Sequence, residues 1–198
     1  MFAVNALLPR LCCCFFEDDA DDGIPLSNMQ PVILDSSKVG LECVILKGGR
    51  RLCGAGAALA NAPLVQNKSY FEVKIQTTGT WGVGLATQKC HLDRVPLGGD
   101  MSSWVLRSDG NVCHDGEVIY TTSPKPDEGD VVSCTYDHIE LNFFLNGKSL
   151  QCPVSGVRGR VFPVFYVGDG AILDVAFKDF SFPAPDTFDE IMFEQNIL

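Results

Sequence analysis

The chain has 198 residues, 46% of them apolar and 20% charged, and 15 Lys and Arg against 25 Asp and Glu give a formal net charge of −10. That length suits one domain with a substantial core and short tails, and the apolar share excludes an intrinsically disordered chain. The acidic balance excludes a nucleic-acid binder that works by neutralising phosphates, and the lack of any run of 18 apolar residues excludes a transmembrane helix.

Residues 1–30 form a separate segment, expected to be a flexible tail. An apolar, Cys-rich patch from Leu7 to Phe16 is followed by the acids Glu17, Asp18, Asp19, Asp21 and Asp22, then by Gly23, Pro25 and Ser27. The start has no basic n-region, and Pro9 and Arg10 interrupt its apolar run, so it does not read as a signal peptide. Cys12, Cys13 and Cys14 lie side by side between Leu7-Leu8 and Phe15-Phe16. Clustered thiols beside apolar residues suit S-acylation, and several acyl chains anchor stably where one binds only marginally. The acidic run opposes this, because an anionic leaflet repels it. The alternative is an unmodified or metal-scavenging tail. Position 2 is Phe2, which rules out N-myristoylation.

From residue 31 the periodicity is that of strands. Phe71, Val73 and Ile75 alternate with Glu72 and Lys74, which predicts a half-buried strand. Val132, Cys134 and Tyr136 alternate with Val131, Ser133 and Thr135, and Leu141, Phe143 and Leu145 with Asn142 and Phe144. Turn signals recur between the runs, at Gly79-Thr80, Asp109-Gly110, Asp115-Gly116, Asp137-His138, Asn146-Gly147 and Asp169-Gly170. Short strands with turns at this density predict an all-β antiparallel sandwich or barrel over 31–182. Residues 183–198 break the pattern at Phe182-Pro183-Ala184-Pro185. Phe188, Ile191 and Met192 then fall at helical spacing after Asp186 or Thr187, which predicts a short helical turn over 187–195, packed on the sheets.

The chemistry-bearing residues do not converge. Gly82-Val83-Gly84 lacks the third small residue and the following helix of a dinucleotide site. Cys90-His91, Cys113-His114 and Cys134 with His138 show no C-x-x-C or finger spacing, so no metal site is expected. Nine Cys, three of them consecutive, do not form a disulfide framework and read instead as thiols of a reducing, cytoplasmic compartment. The sequon Asn67-Lys68-Ser69 is then a chance match. Arg50-Arg51 and the Arg158, Arg160 pair read as solvated turns. No catalytic residue and no cofactor is expected.

A series of motifs, taken together, is more specific. Tyr70-Phe71-Glu72-Val73, Trp81-Gly82-Val83-Gly84-Leu85-Ala86-Thr87, Gly129-Asp130-Val131-Val132 through Tyr136-Asp137, Leu141 through Asn146-Gly147-Lys148, and Phe162-Pro163-Val164 resemble, in order and spacing, the signature series of a SPRY domain. The resemblance implies a bent sandwich of two antiparallel sheets, of the concanavalin-like kind. It also implies a non-catalytic interaction module that takes a protein or peptide on loops at one rim. The motifs themselves are scaffold: Trp81 and Tyr136 are expected in the core and Asn146-Gly147 in a hairpin turn.

Partner-contacting positions are therefore expected in loops. One candidate stretch runs from His91 to Met101 and includes Arg94, Val95 and Leu97. The other is Val167-Gly168-Asp169-Gly170, with Arg50 and Arg51 flanking the same rim. The expected function is an adaptor, membrane-associated where Cys12, Cys13 and Cys14 are acylated. The alternatives are a structural subunit of a larger complex and a small-ligand-binding sandwich.

Overall fold

A computed structural model describes residues 30–193. Among them are fifteen strands and no helix. In chain order they begin with β1 (Leu34–Val39), β2 (Glu42–Leu46), β3 (Arg51–Ala60), β4 (Ser69–Thr77) and β5 (Thr80–Thr87). There follow β6 (Ser103–Arg107), β7 (Asn111–His114), β8 (Glu117–Thr121), β9 (Val131–Tyr136) and β10 (Glu140–Leu145). The last are β11 (Lys148–Ser149), β12 (Val154–Ser155), β13 (Val161–Gly168), β14 (Ile172–Ala176) and β15 (Asp189–Glu190).

The strands form two layers that share β3. Its first half pairs with β2 (Glu42↔Ala55 through Leu46↔Arg51) and β14 (Leu173↔Leu52), and that layer continues through β4, β9 and β10. Its second half pairs with β13 (Val167↔Gly56 through Val164↔Leu59) and β1, and that layer continues through β5, β6, β7 and β8. The crossing needs glycine. Gly54 has φ +98°, and a Cβ there would lie 2.2 Å from the Glu42 carbonyl oxygen. The result is a curled antiparallel sheet folded on itself, with a bent core between its halves.

The alternation read from the sequence sets that core. Phe71, Val73 and Ile75 of β4 meet Trp81, Val83 and Leu85 of β5, together with Phe143 of β10 and Phe165 of β13. Phe71 and Phe165 stack edge to face at 5.8 Å. Trp81 and Tyr136 are buried, and Asn146-Gly147 turns with positive φ at both residues. β13 is apolar on both parities because both its faces are covered. Phe165 and Val167 point between the layers, while Phe162, Val164 and Tyr166 form a second cluster on the outer face with Ala57, Leu59, Val105, Cys90 and Leu97.

The outer face of the other layer is covered as well. Tyr70, Glu72, Ser133 and Thr135 lie on it, and all are buried. Glu72, which the alternation places toward solvent, is 1% exposed. Its carboxylate accepts the Tyr70 hydroxyl at 2.7 Å and the backbone N–H groups of Ser181 at 2.7 Å and Phe182 at 3.1 Å. Tyr70 packs edge to face on Phe180. The chain after β14 thus folds back over the sheet, and Glu72 holds it there with charge-assisted hydrogen bonds.

That return path corrects the helical turn expected over 187–195. Asp186-Thr187 make a turn, with Thr187 at φ 75°, and β15 then runs parallel to the start of β4 (Asp189↔Ser69, Glu190↔Tyr70). Among the described residues of that span none is helical. An isolated helix of this length is marginal in water. The extended path instead seats Ile191 in the core at 5% exposure and offers its backbone to Gln66.

Candidate functional site

The loop 88–102, between β5 and β6, lies over the outer cluster of β13 and is pinned along its length. Cys90 and Leu97 are buried in that cluster, and Leu92 and Val95 pack against it. The Leu97 carbonyl accepts two N–H groups of the Arg107 guanidinium, that from Nε at 2.8 Å. The backbone N–H of Gly98 donates to Ser103 Oγ at 2.8 Å, and that of Ser102 to Asp100 Oδ1 at 2.8 Å. At its other end the Leu92 carbonyl accepts the Ala57 N–H at 2.7 Å.

These anchors bring the loop against the turn between β1 and β2. Asp93 Oδ1 accepts the Leu41 N–H at 2.6 Å. Gly40 allows the approach, since a Cβ there would sit 2.7 Å from the Leu92 carbonyl oxygen. Leu41, Glu42, Ala55, Gly56, Asp93 and Val95 line a shallow depression of about 310 Å³. Leu41 stands at its edge with 91% of its surface exposed. An apolar side chain so placed, between two carboxylates and a half-buried valine, suits contact with a protein surface better than enclosure of a small molecule.

The sequence-predicted residues are distributed unevenly over this geometry. Arg94 is exposed on the loop and Val95 lines the depression. Leu97 is 4% exposed and serves as the loop's apolar anchor, so it offers no side chain to a partner. Val167 and Gly168 belong to β13 rather than to a loop, and Val167 is fully buried between the layers because the strand continues through it. Asp169 is exposed in the following turn at φ 51°, where its carboxylate accepts the Thr80 hydroxyl. Arg50 is exposed. Arg51 is engaged: its guanidinium grips Asp174 at 2.5 and 2.8 Å, with Lys47 Nζ on the same carboxylate at 3.0 Å. Arg50 and Arg51 sit beside the Leu46 end of β2, whereas the depression lies at its Glu42 end. Arg94 and Val95 are thus joined to Leu41 and Glu42, and the arginine pair belongs to a different part of the surface. Cys12, Cys13 and Cys14 lie outside the described residues.

Leu41 was the residue that sequence reasoning missed. Its signal was a large apolar residue directly after Gly40, at a turn, followed by a strand apolar on both parities. Cys43 and Ile45 of β2 pack on the core, and Val44 and Leu46 are left exposed on the other face.

Cys90, Cys113 and His114 of the Cys-His doublets are packed, while His91 is exposed. Burial pushes the Cys90 thiol up to about 12 and raises that of Cys113. His114 stacks on Trp104 at 4.5 Å and places Nδ1 2.9 Å from the Ser103 carbonyl. Among the described residues no group of three or more His, Cys, Asp and Glu is placed to hold a metal ion.

Comparison with known proteins gives a consistent result. The family model for the SPRY domain matches residues 68–180. The chain is 53% identical over 195 residues to SPRY domain-containing protein 7 of Homo sapiens, covering 98% of each chain. It is 53% identical over 189 residues to the Mus musculus protein of that name, covering 94% of this chain and 95% of that one. Among solved structures, the SPRY domain of human HERC1 superposes with a TM-score of 0.62 at 20% identity, over 72% of this chain and 96% of that one. That superposition speaks to the fold. With the family model matched over more than half of its length and relatives 53% identical almost from end to end, the chain belongs to the SPRY domain family, whose domains generally serve as protein-interaction modules.

Proposed function

We propose that this chain is a non-catalytic adaptor that recognises a protein partner at the rim where loop 88–102 meets the β1–β2 turn. The observation that carries this reading is Leu41, 91% exposed at the edge of the depression lined by Glu42, Asp93 and Val95. The loop beneath is held by Leu97, Arg107 and the Leu92–Ala57 hydrogen bond, so little ordering entropy is lost when a partner docks. Leu41 supplies apolar area at the edge of the depression, and Arg94 with the two carboxylates supplies orientation. Asp169 lies on a separate turn and is a flanking contact at most.

The adaptor is cytoplasmic, and its N-terminal thiols Cys12, Cys13 and Cys14 are the acylation sites that tether it to a membrane. Multiple acyl chains are needed for a lasting anchor.

Affinity purification from cells followed by mass spectrometry tests both parts. The full chain is compared with Leu41→Asp/Val95→Asp, with Arg94→Glu, and with Cys12, Cys13 and Cys14 all changed to Ser. Loss of a partner in the rim variants, with an unchanged melting temperature, supports the rim. Retention of every partner overturns it. Hydroxylamine-sensitive membrane pelleting that is lost in the Ser variant supports the tether, and wholly soluble behaviour of the wild-type chain overturns it.

A further inference from the structure

The depression at the rim is selective in its chemistry. Ala55 and Gly56 keep its floor open, with a methyl and a hydrogen where larger side chains would fill the space. Gly56 is also required for close packing, since a Cβ there would lie 3.1 Å from the Leu92 carbonyl oxygen and 3.2 Å from Cys43 Sγ. Ala55 stands directly opposite Glu42 in the β2–β3 ladder, so the Glu42 side chain rises beside that floor on the same side. Leu41 and Val95 give the depression apolar edges, and its volume of about 310 Å³ suits one long side chain lying along it.

Charge decides which side chain that is. Asp93 enters from loop 88–102, and its carboxylate is fixed: Oδ1 accepts the Leu41 N–H at 2.6 Å, which leaves Oδ2 for a ligand. Among the described residues neither Glu42 nor Asp93 joins an ion pair, and the paired carboxylates are those of Asp35 and Asp174. The lining therefore holds two uncompensated carboxylates and no base, with Arg94 exposed outside it. An acidic occupant is repelled there, and a wholly apolar one strips water from the carboxylates without replacing its hydrogen bonds. A cation meets both demands. A guanidinium meets them better than an ammonium, because it is flat, more weakly hydrated and carries its N–H donors in one plane. It can lie on Leu41 and Val95 while it donates to Asp93 and Glu42. The net charge of −10 draws a cationic segment toward the chain from a distance.

We propose that this depression takes an arginine side chain of the partner protein, with an apolar residue next to that arginine resting on Leu41. The assignment rests on the rim reading given above and adds the partner's chemistry to it.

The test pans the immobilised full chain against a phage-displayed library of random dodecapeptides. Recovered peptides are labelled with fluorescein, and anisotropy is read against the wild type, Leu41→Asp, and Glu42→Gln with Asp93→Asn. The double variant removes the charge and keeps an acceptor for the Leu41 N–H, and thermal unfolding is recorded for each chain. Should its melting temperature fall, Glu42→Gln alone takes its place. The recovered peptides are expected to share an arginine beside an apolar residue. Affinity is expected to fall at least about tenfold in Leu41→Asp, in the charge-neutral variant, and when that arginine is replaced by the neutral isostere citrulline. Peptides that need Leu41 but carry no arginine, or that bind the charge-neutral variant unchanged, overturn the arginine assignment and leave the rim reading standing. Peptides indifferent to Leu41→Asp, or no peptides at all, overturn both. Self-association of the wild-type chain that the charge-neutral variant abolishes would assign the depression to a second copy and overturn its assignment to a partner protein. A rise in melting temperature with calcium that the same variant abolishes would assign it to a metal ion and overturn the proposal as well.

Discussion

Two carboxylates show how differently this chain treats the same chemical group. Glu72 is buried and held by a hydroxyl and backbone N–H groups, so its role is to fix the path of the returning chain. Asp174 is partly exposed and held by cations. Burial alone would raise its pKa, but the hydrogen bonds and charges of Arg51 and Lys47 outweigh that and hold it below the usual carboxylate range. A carboxyl whose folded pKa is depressed contributes stability above its unfolded value, and that contribution is lost as pH falls through the folded value. Asp174→Asn is therefore expected to lower the melting temperature at pH 7. The gap to the wild type should close as pH falls below the ordinary carboxylate range. Thermal scans between pH 7 and pH 2 check this, and a gap constant with pH would mean that packing rather than charge is lost. Because the pair is partly solvent-exposed, added salt should narrow the gap as well.

At the scale of elements, β3 decides the architecture, since it alone belongs to both layers. Gly54 is where it crosses. Gly54→Ala is expected to cost at least about 1–3 kcal/mol from the positive φ alone, with the contact to the Glu42 carbonyl adding to it. Denaturant titration measures this. Gly48→Ala is the comparison: φ is also positive there but the space is open, so it should cost less. The same scale explains what was legible in the sequence. β4, β9 and β10 announced their inward faces by strict alternation, and the Asn146-Gly147 turn announced its conformation. β13 did not alternate because two layers of side chains bury it, and a continuous apolar run does not say what covers its second face. The burial of Glu72 and the path of β15 were not legible for a related reason. Both depend on a segment more than a hundred residues away in sequence, and Ile191 and Met192 fit a helical spacing as well as an extended one. At the candidate rim, Arg94 and Val95 were singled out because the family resemblance implies contacts in loops between strands. Leu41 was not, because it lies in the short turn between β1 and β2, outside the two loops singled out from the sequence.

The described residues are thus stacked four layers deep: a loop over one sheet, the two sheets, and the returning chain over the other. Its thiols sample that depth. Cys134 lies between the sheets, fully enclosed, and burial raises its pKa well above the ordinary thiol range. Cys90 lies beneath loop 88–102, and its thiol is pushed up to about 12 by burial and then by Asp100. At pH 8 both are neutral in the folded state, so alkylation requires opening rather than simple encounter. The opening that each requires is different. Exposing Cys90 needs only the loop to lift from the outer cluster, whereas exposing Cys134 needs the sheets to part, which is global unfolding. Native-state alkylation followed by mass spectrometry should therefore modify Cys90 faster than Cys134. Denaturant well below the midpoint should accelerate Cys134 steeply and Cys90 only weakly, because loop opening exposes little surface. Leu97→Ala, which removes the loop's anchor, is expected to widen the difference by speeding Cys90 specifically. Equal rates with equal denaturant dependence would show instead that the loop and the sandwich open as one unit, and the rim at Leu41 would then be as rigid as the core beneath it.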